Sequence, residues 1–91
     1  MIRSFRHKGL KELFTVGASA KVANNLEARC RRRLQVLDNA ATLENLKIPG
    51  FNFHPLRGRP QRYSIHVNGP WCITFEWSKN DAFRVALEQY H

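Results

Sequence analysis

Upstream of Pro49-Gly50 the apolar residues recur every three or four positions; downstream they recur every two. That switch of period restricts the chain to helices first and a sheet of consecutive strands afterwards. In the second half Phe51 and Phe53 alternate with Asn52 and His54, and Tyr63, Ile65 and Val67 alternate with Ser64 and His66. Trp71, Ile73, Phe75 and Trp77 then alternate with Cys72, Thr74 and Glu76, and Phe83, Val85 and Leu87 with Arg84, Ala86 and Glu88. Arg57-Gly58-Arg59-Pro60, Asn68-Gly69-Pro70 and Lys79-Asn80-Asp81 punctuate these runs with turn-forming residues, so the pattern predicts an antiparallel meander.

In the first half Leu10, Leu13 and Phe14 give the spacing of a short helix, with Gly17 as its stop. Ser19 is the expected N-cap of a longer helix whose stripe is Val22, Leu26, Cys30, Leu34, Leu37 and Ala41. Arg33 falls within or beside that stripe, and its expected place is the edge, stem packed and guanidinium in water. Ile2 to Phe5 is β-tolerant and could form a further short strand. The Trp71, Ile73, Phe75 and Trp77 face must be core against the helices, which sends Cys72, Thr74 and Glu76 to the opposite side. The expectation is a single α+β domain over residues 1–91, two N-terminal helices on one face of a small sheet, the other, concave face free for a ligand.

Fifteen Lys and Arg against seven Asp and Glu leave a net charge of +8, which points to a polyanionic partner, most simply nucleic acid. Cys30 and Cys72 are far apart, with no Cys-x-x-Cys spacing, so neither a disulfide framework nor a zinc site is expected. No apolar run follows the charged N-terminus, and none approaches the ~18 residues of a membrane span. A cytoplasmic location without membrane contact is expected.

The segments Ile2-Arg3-Ser4-Phe5-Arg6-His7-Lys8-Gly9-Leu10, His54-Pro55-Leu56-Arg57-Gly58, Val67-Asn68-Gly69-Pro70-Trp71-Cys72-Ile73-Thr74-Phe75 and Tyr90-His91 together resemble the plasmid-maintenance killer family. These are the HigB-type toxins of bacterial toxin–antitoxin modules, within the RelE-like superfamily, and the similarity runs end to end. The resemblance implies a RelE-like fold and a toxin that cleaves messenger RNA on the translating ribosome. It implies as partners a helix-turn-helix antitoxin, the ribosome and mRNA, with operator DNA reached only through the antitoxin complex. It implies no cofactor or metal. The matching active-site positions are His54, Arg57, Tyr90 and His91, with Arg57 where the family often has lysine.

Two positions depart from the family pattern. Cys72 stands where an arginine is expected to face the scissile phosphate, and Gln89 stands where an aspartate usually precedes Tyr-His. Cleavage of RNA without metal needs the 2′-OH deprotonated, the phosphorane charge held and the leaving oxygen protonated. Histidine, with an ordinary pKa of about 6.5, suits both proton steps, so His54 and His91 are the expected acid–base pair in either order. Arg57 would hold non-bridging oxygens, and Tyr90 would stack on a base or orient a phosphate. Arg59, Arg62 and Arg84 are the RNA-binding candidates to supply the cation absent at Cys72. The alternative is a weakened or inactive toxin-fold protein that acts through antitoxin binding and operon autoregulation.

Overall fold

The computed structural model describes residues 1–89. Helices α1 (Lys8–Val16) and α2 (Asn24–Asn39) and a 3-10 turn (Leu43–Leu46) precede strands β1 (His54–Leu56), β2 (Arg62–Asn68), β3 (Trp71–Ser78) and β4 (Asp81–Gln89). The strands pair antiparallel in the order β1-β2-β3-β4. This is the α+β meander that the change of period predicts. Among the described residues no helix is long and apolar enough to cross a membrane.

The helices cover one face of the sheet. Leu10 and Leu13 from α1 and Leu26, Cys30, Leu34 and Leu37 from α2 are buried with Ile65, Val67, Ile73, Phe75, Val85 and Leu87. Trp71 and Trp77, expected in that core, are only partly buried at the two ends of β3. Burial also raises the Cys30 thiol to about 11, which leaves it a small inert core residue.

His7 caps α1 from outside: its Nδ1 accepts the Leu10 N–H at 3.1 Å. Gly9 makes room for that ring, since a Cβ there would meet His7 Cε1 and Lys21 Cβ at 2.8 Å. Ser19 does not cap α2. Its Oγ accepts from Lys21 N at 3.1 Å in a separate turn that swings Val22 into the core before the helix begins, with Ala23 at the cap position. At the other end α2 stops at Asn39, and Ala40 rather than Ala41 is buried.

Arg33 departs further from expectation. It is 8% exposed, its Nε donates to the His66 carbonyl at 2.6 Å, and its guanidinium lies 4.6 Å from the Phe51 ring centroid. The guanidinium therefore turns inward to close the edge of β2 beyond β1, where the His66 N–H is taken by the Phe51 carbonyl. Asn52, at a left-handed φ of 45°, breaks the extended run after Phe51, so β1 begins at His54 and not at Phe51.

Two bulges bend the sheet, one between His66 and Asn68 and one between Thr74 and Glu76 against β4. In the second, Glu76 pairs with Phe83 and Thr74 with Ala86, so Arg84 and Val85 share one place in the ladder. Arg84 takes a left-handed φ of 51°, and its N–H is satisfied by Ser4 Oγ at 2.9 Å. The extra residue separates Phe83 from Val85 and puts it on the Glu76 face, contrary to the simple alternation. Residues 2–5 run parallel to β4 along its outer edge, bridging Ile2 to Ala82 and Phe5 to Val85, rather than forming a full strand.

Candidate active site

Strand register assigns the residues that share the face away from the helices. His54 pairs with Ser64, Ser64 with Thr74 and Thr74 with Ala86, one row across all four strands. The next row is His66, Cys72 and Glu88; on the other side Arg62 begins β2. Alternation of side chains along a strand puts these groups on one surface.

The centre of that surface is closed. Ser64 and Thr74 are fully buried and Cys72 is 6% exposed, so the face is a floor with a polar lining and not a bare sheet. The lining is organised by Glu88, which the sequence put on this face without a role. Its Oε1 accepts from Arg62 Nη1 at 2.7 Å and from Arg6 Nη2 at 2.8 Å, and it also accepts the Thr74 hydroxyl. Burial alone would raise the Glu88 pKa, but the hydrogen bonds from Thr74 and Arg62 and the charges of Arg62 and Arg6 hold it below the carboxylate value. Arg62 Nη1 also reaches Thr74 Oγ1 at 3.5 Å. A fixed carboxylate thus aims a guanidinium over the row that begins with His54.

Ser64 completes the floor with an anomaly. Its Oγ is buried and has no hydrogen-bond partner among the described residues. An unpaired buried hydroxyl costs about 1–3 kcal/mol.

The sequence candidates divide by position. His54 is exposed at the start of β1, and its Nδ1 lies 2.8 Å from the Asn52 carbonyl oxygen. A carbonyl only accepts, so Nδ1 carries the proton of the neutral ring and Nε2 presents its lone pair outward. Arg57 and Arg59 are exposed in the β1–β2 loop and make no hydrogen bond or ion pair among the described residues. Arg84 lies at the bulge, exposed, 3.6 Å from Glu76 near the β3–β4 end of the sheet. His66 is tied to the Gly69 carbonyl through Nε2 at 2.9 Å. Tyr90 and His91 lie outside the described residues.

The structure therefore brings His54, Ser64, Thr74, Arg62 and Glu88 to one surface and leaves Arg57, Arg59 and Arg84 at its margins. Glu88 and Arg62 are 26 residues apart in sequence, and only the strand register reveals that they meet.

Comparison with known proteins adds two findings. The family model described as "RelE-like toxin of type II toxin-antitoxin system HigB" matches residues 3–91. The chain is also 40% identical over 92 residues to the protein named Endoribonuclease HigB from Proteus vulgaris, with 100% of each chain covered.

Proposed function

Because the chain belongs to the HigB family of RelE-like toxins of type II toxin–antitoxin systems, we propose that it cleaves messenger RNA on the translating ribosome by metal-free acid–base attack of the 2′-OH. It is an endoribonuclease toxin, and the type II system supplies its antitoxin. We take that antitoxin to be a helix-turn-helix protein through which alone operator DNA is reached, and place the pair in the bacterial cytoplasm.

The observation that carries the mechanism is the hydrogen bond of His54 Nδ1 to the Asn52 carbonyl. It favours the tautomer whose Nε2 accepts a proton, which supports the reading of His54 as general base for the 2′-OH, with His91 as the acid for the departing 5′-oxygen. Attack of the 2′-oxygen on phosphorus forms the new P–O bond, and the P–O5′ bond breaks as the 5′-oxygen takes a proton. The products are a 2′,3′-cyclic phosphate and a 5′-hydroxyl. Tyr90 orients the neighbouring nucleotide.

The phosphorane needs a cation. Cys72 offers a nearly enclosed thiol where the family has arginine. Arg62 supplies the charge instead, held by Glu88 from the row of Cys72 and by Thr74 from the row of His54, while the exposed loop residues Arg57 and Arg59 grip flanking phosphates. Arg84, already paired with Glu76 near the far end of the face, contributes to binding of the strand rather than to the reacting phosphate.

Expression without the antitoxin tests this. Primer extension on a translated message should show new 5′ ends, and both His54→Ala and His91→Ala should erase them while the proteins stay folded. Unchanged cleavage by His54→Ala would remove the histidine-base reading. Harmless wild-type expression would favour the weakened-toxin alternative, which a cysteine at position 72 in place of arginine supports.

A further inference from the structure

A cavity of about 480 Å³ opens on the helix side of the molecule, between α2 and the end of β2, lined chiefly by Arg29, Arg32, Arg33, Gly50 and His66. We infer that this arginine cleft is a second phosphate-binding site, which holds the backbone of an RNA strand away from the catalytic face. It deepens the RNA reading above, on which it rests, by naming where part of the polymer is gripped.

The argument begins with the carboxylates. Of the chain's seven, Glu27 pairs with Arg31, Glu44 with Lys47, Glu76 with Arg84, Asp81 with Arg3, and Glu88 with Arg6 and Arg62. Asp38 accepts the Ile2 N–H, and Glu12 is on α1. Among the described residues no carboxylate pairs with Arg29, Arg32 or Arg33. Three guanidinium groups within about one helical turn are thus left to repel one another, and burial together with the Arg29 and Arg32 charges weighs against protonated Arg33. Like charges gathered without a counter-charge are stabilised when an anion enters.

The cleft is also built. Arg33 is its fixed floor, stacked on Phe51 and bonded through Nε to the His66 carbonyl and through Nη1 to the Arg29 carbonyl at 3.4 Å. Arg29 and Arg32 are exposed on the same helix and can close over a guest. At the mouth, Gly50 has a φ of 91°, and a Cβ there would find nothing within 4 Å. The cationic lining is all arginine, whose planar fork matches phosphate oxygens in pairs. A chain at +8 that acts on RNA has the polymer to fill it. The arginines stand on α2, which covers the sheet face opposite to the row of His54, Ser64 and Thr74, and His66 at the edge of β2 lies between the cleft and that row.

The test uses the full-length protein and an uncleavable 2′-O-methyl oligoribonucleotide in one arm, isolated ribosomes in the other. Binding is titrated against salt for wild type, R29Q/R32Q and R29K/R32K. With two phosphate-binding cations neutralised, the slope of log affinity against log salt for the oligomer should fall by about 1.4 in R29Q/R32Q, and the lysine pair should restore most of it. A loss confined to ribosomes would assign the phosphates to ribosomal RNA, and a loss with the oligomer to the message strand; either supports the site. Unchanged salt slopes in both arms would overturn it, as would weakened antitoxin binding with both RNA arms intact, which would make the cleft a dock for an acidic protein. Uncleavable RNA keeps this outcome distinguishable from failure of the nuclease mechanism. Retained melting temperature in R29Q/R32Q shows that the variant folds.

Discussion

Arg62 and Glu88 meet at 2.7 Å across the sheet, one opening β2 and the other next to the last residue of β4. If Glu88 positions the cation that faces the phosphate, Arg62→Ala should lower kcat by about 10²–10³-fold, the loss typical of one transition-state donor. Glu88→Gln keeps an acceptor for Thr74 but releases the guanidinium, and should lower kcat with little change in KM. Single-turnover cleavage on programmed ribosomes measures both. An unchanged kcat in Arg62→Ala would remove this residue from the chemistry.

Cys72 neighbours Glu88 in the ladder, so an arginine placed there would compete with Arg62 for the same carboxylate. Cys72→Arg alone should therefore leave the rate within about twofold, yet it should rescue Arg62→Ala by at least about tenfold. A large gain from Cys72→Arg alone would show that the present cation does not fill that place.

Ser64→Ala removes a buried hydroxyl that has no partner among the described residues. The expected result is a gain of about 1 kcal/mol in unfolding free energy by urea titration. Loss of stability would mean that the hydroxyl is satisfied in solution.

His7 accepts the Leu10 N–H only as a neutral ring, and burial, opposed by a backbone hydrogen bond of its own and aided by Lys21, lowers its pKa below 6.5. Below 6.5 the unfolded chain takes up a proton that the fold resists, so this contribution is complete above 6.5 and is lost as pH falls through the lowered value. His7→Ala should cost about 1 kcal/mol at about pH 8, as the loss of a helix cap does, and flatten the fall in melting temperature on acidification.

Glu88 behaves in the same direction at lower pH. Its folded pKa lies below 4.5, so its contribution is present above 4.5 and disappears as acidification passes the depressed value. Melting curves of Glu88→Gln should converge with wild type near about pH 2 and diverge above about pH 5. Parallel curves would remove the charge pair as a source of stability.

The two helices, strands β2 to β4 and the sidedness of β3 are legible because burial imposes periods of about 3.6 and 2 on the sequence, whereas β1 lies at the far end of the expected Phe51–His54 run. What escaped has local causes. Phe83 and Val85 lie on opposite faces because Arg84 adds a residue to β4, and an extra residue leaves no mark in an otherwise regular alternation. The stripe position of Arg33 is compatible with snorkelling into water; the edge left open beyond β1 is what draws it inward. The sequence marks His54 and Arg57 as candidates through their shared motif, while the Arg62–Glu88 pair, made by residues distant in sequence, leaves no mark in it. The expected meeting of His54 with His91 involves a residue outside those described.

The edges of the sheet bear on what happens when the antitoxin is gone. Residues 2–5 occupy the outside of β4, and the opposite border is β1, three residues long with Pro55 in the middle. A border this short, interrupted by a residue without an N–H, gives another chain almost no template to add a strand. A toxin acts only once its inhibitor is gone, and borders of this kind disfavour strand addition while the molecule stands alone.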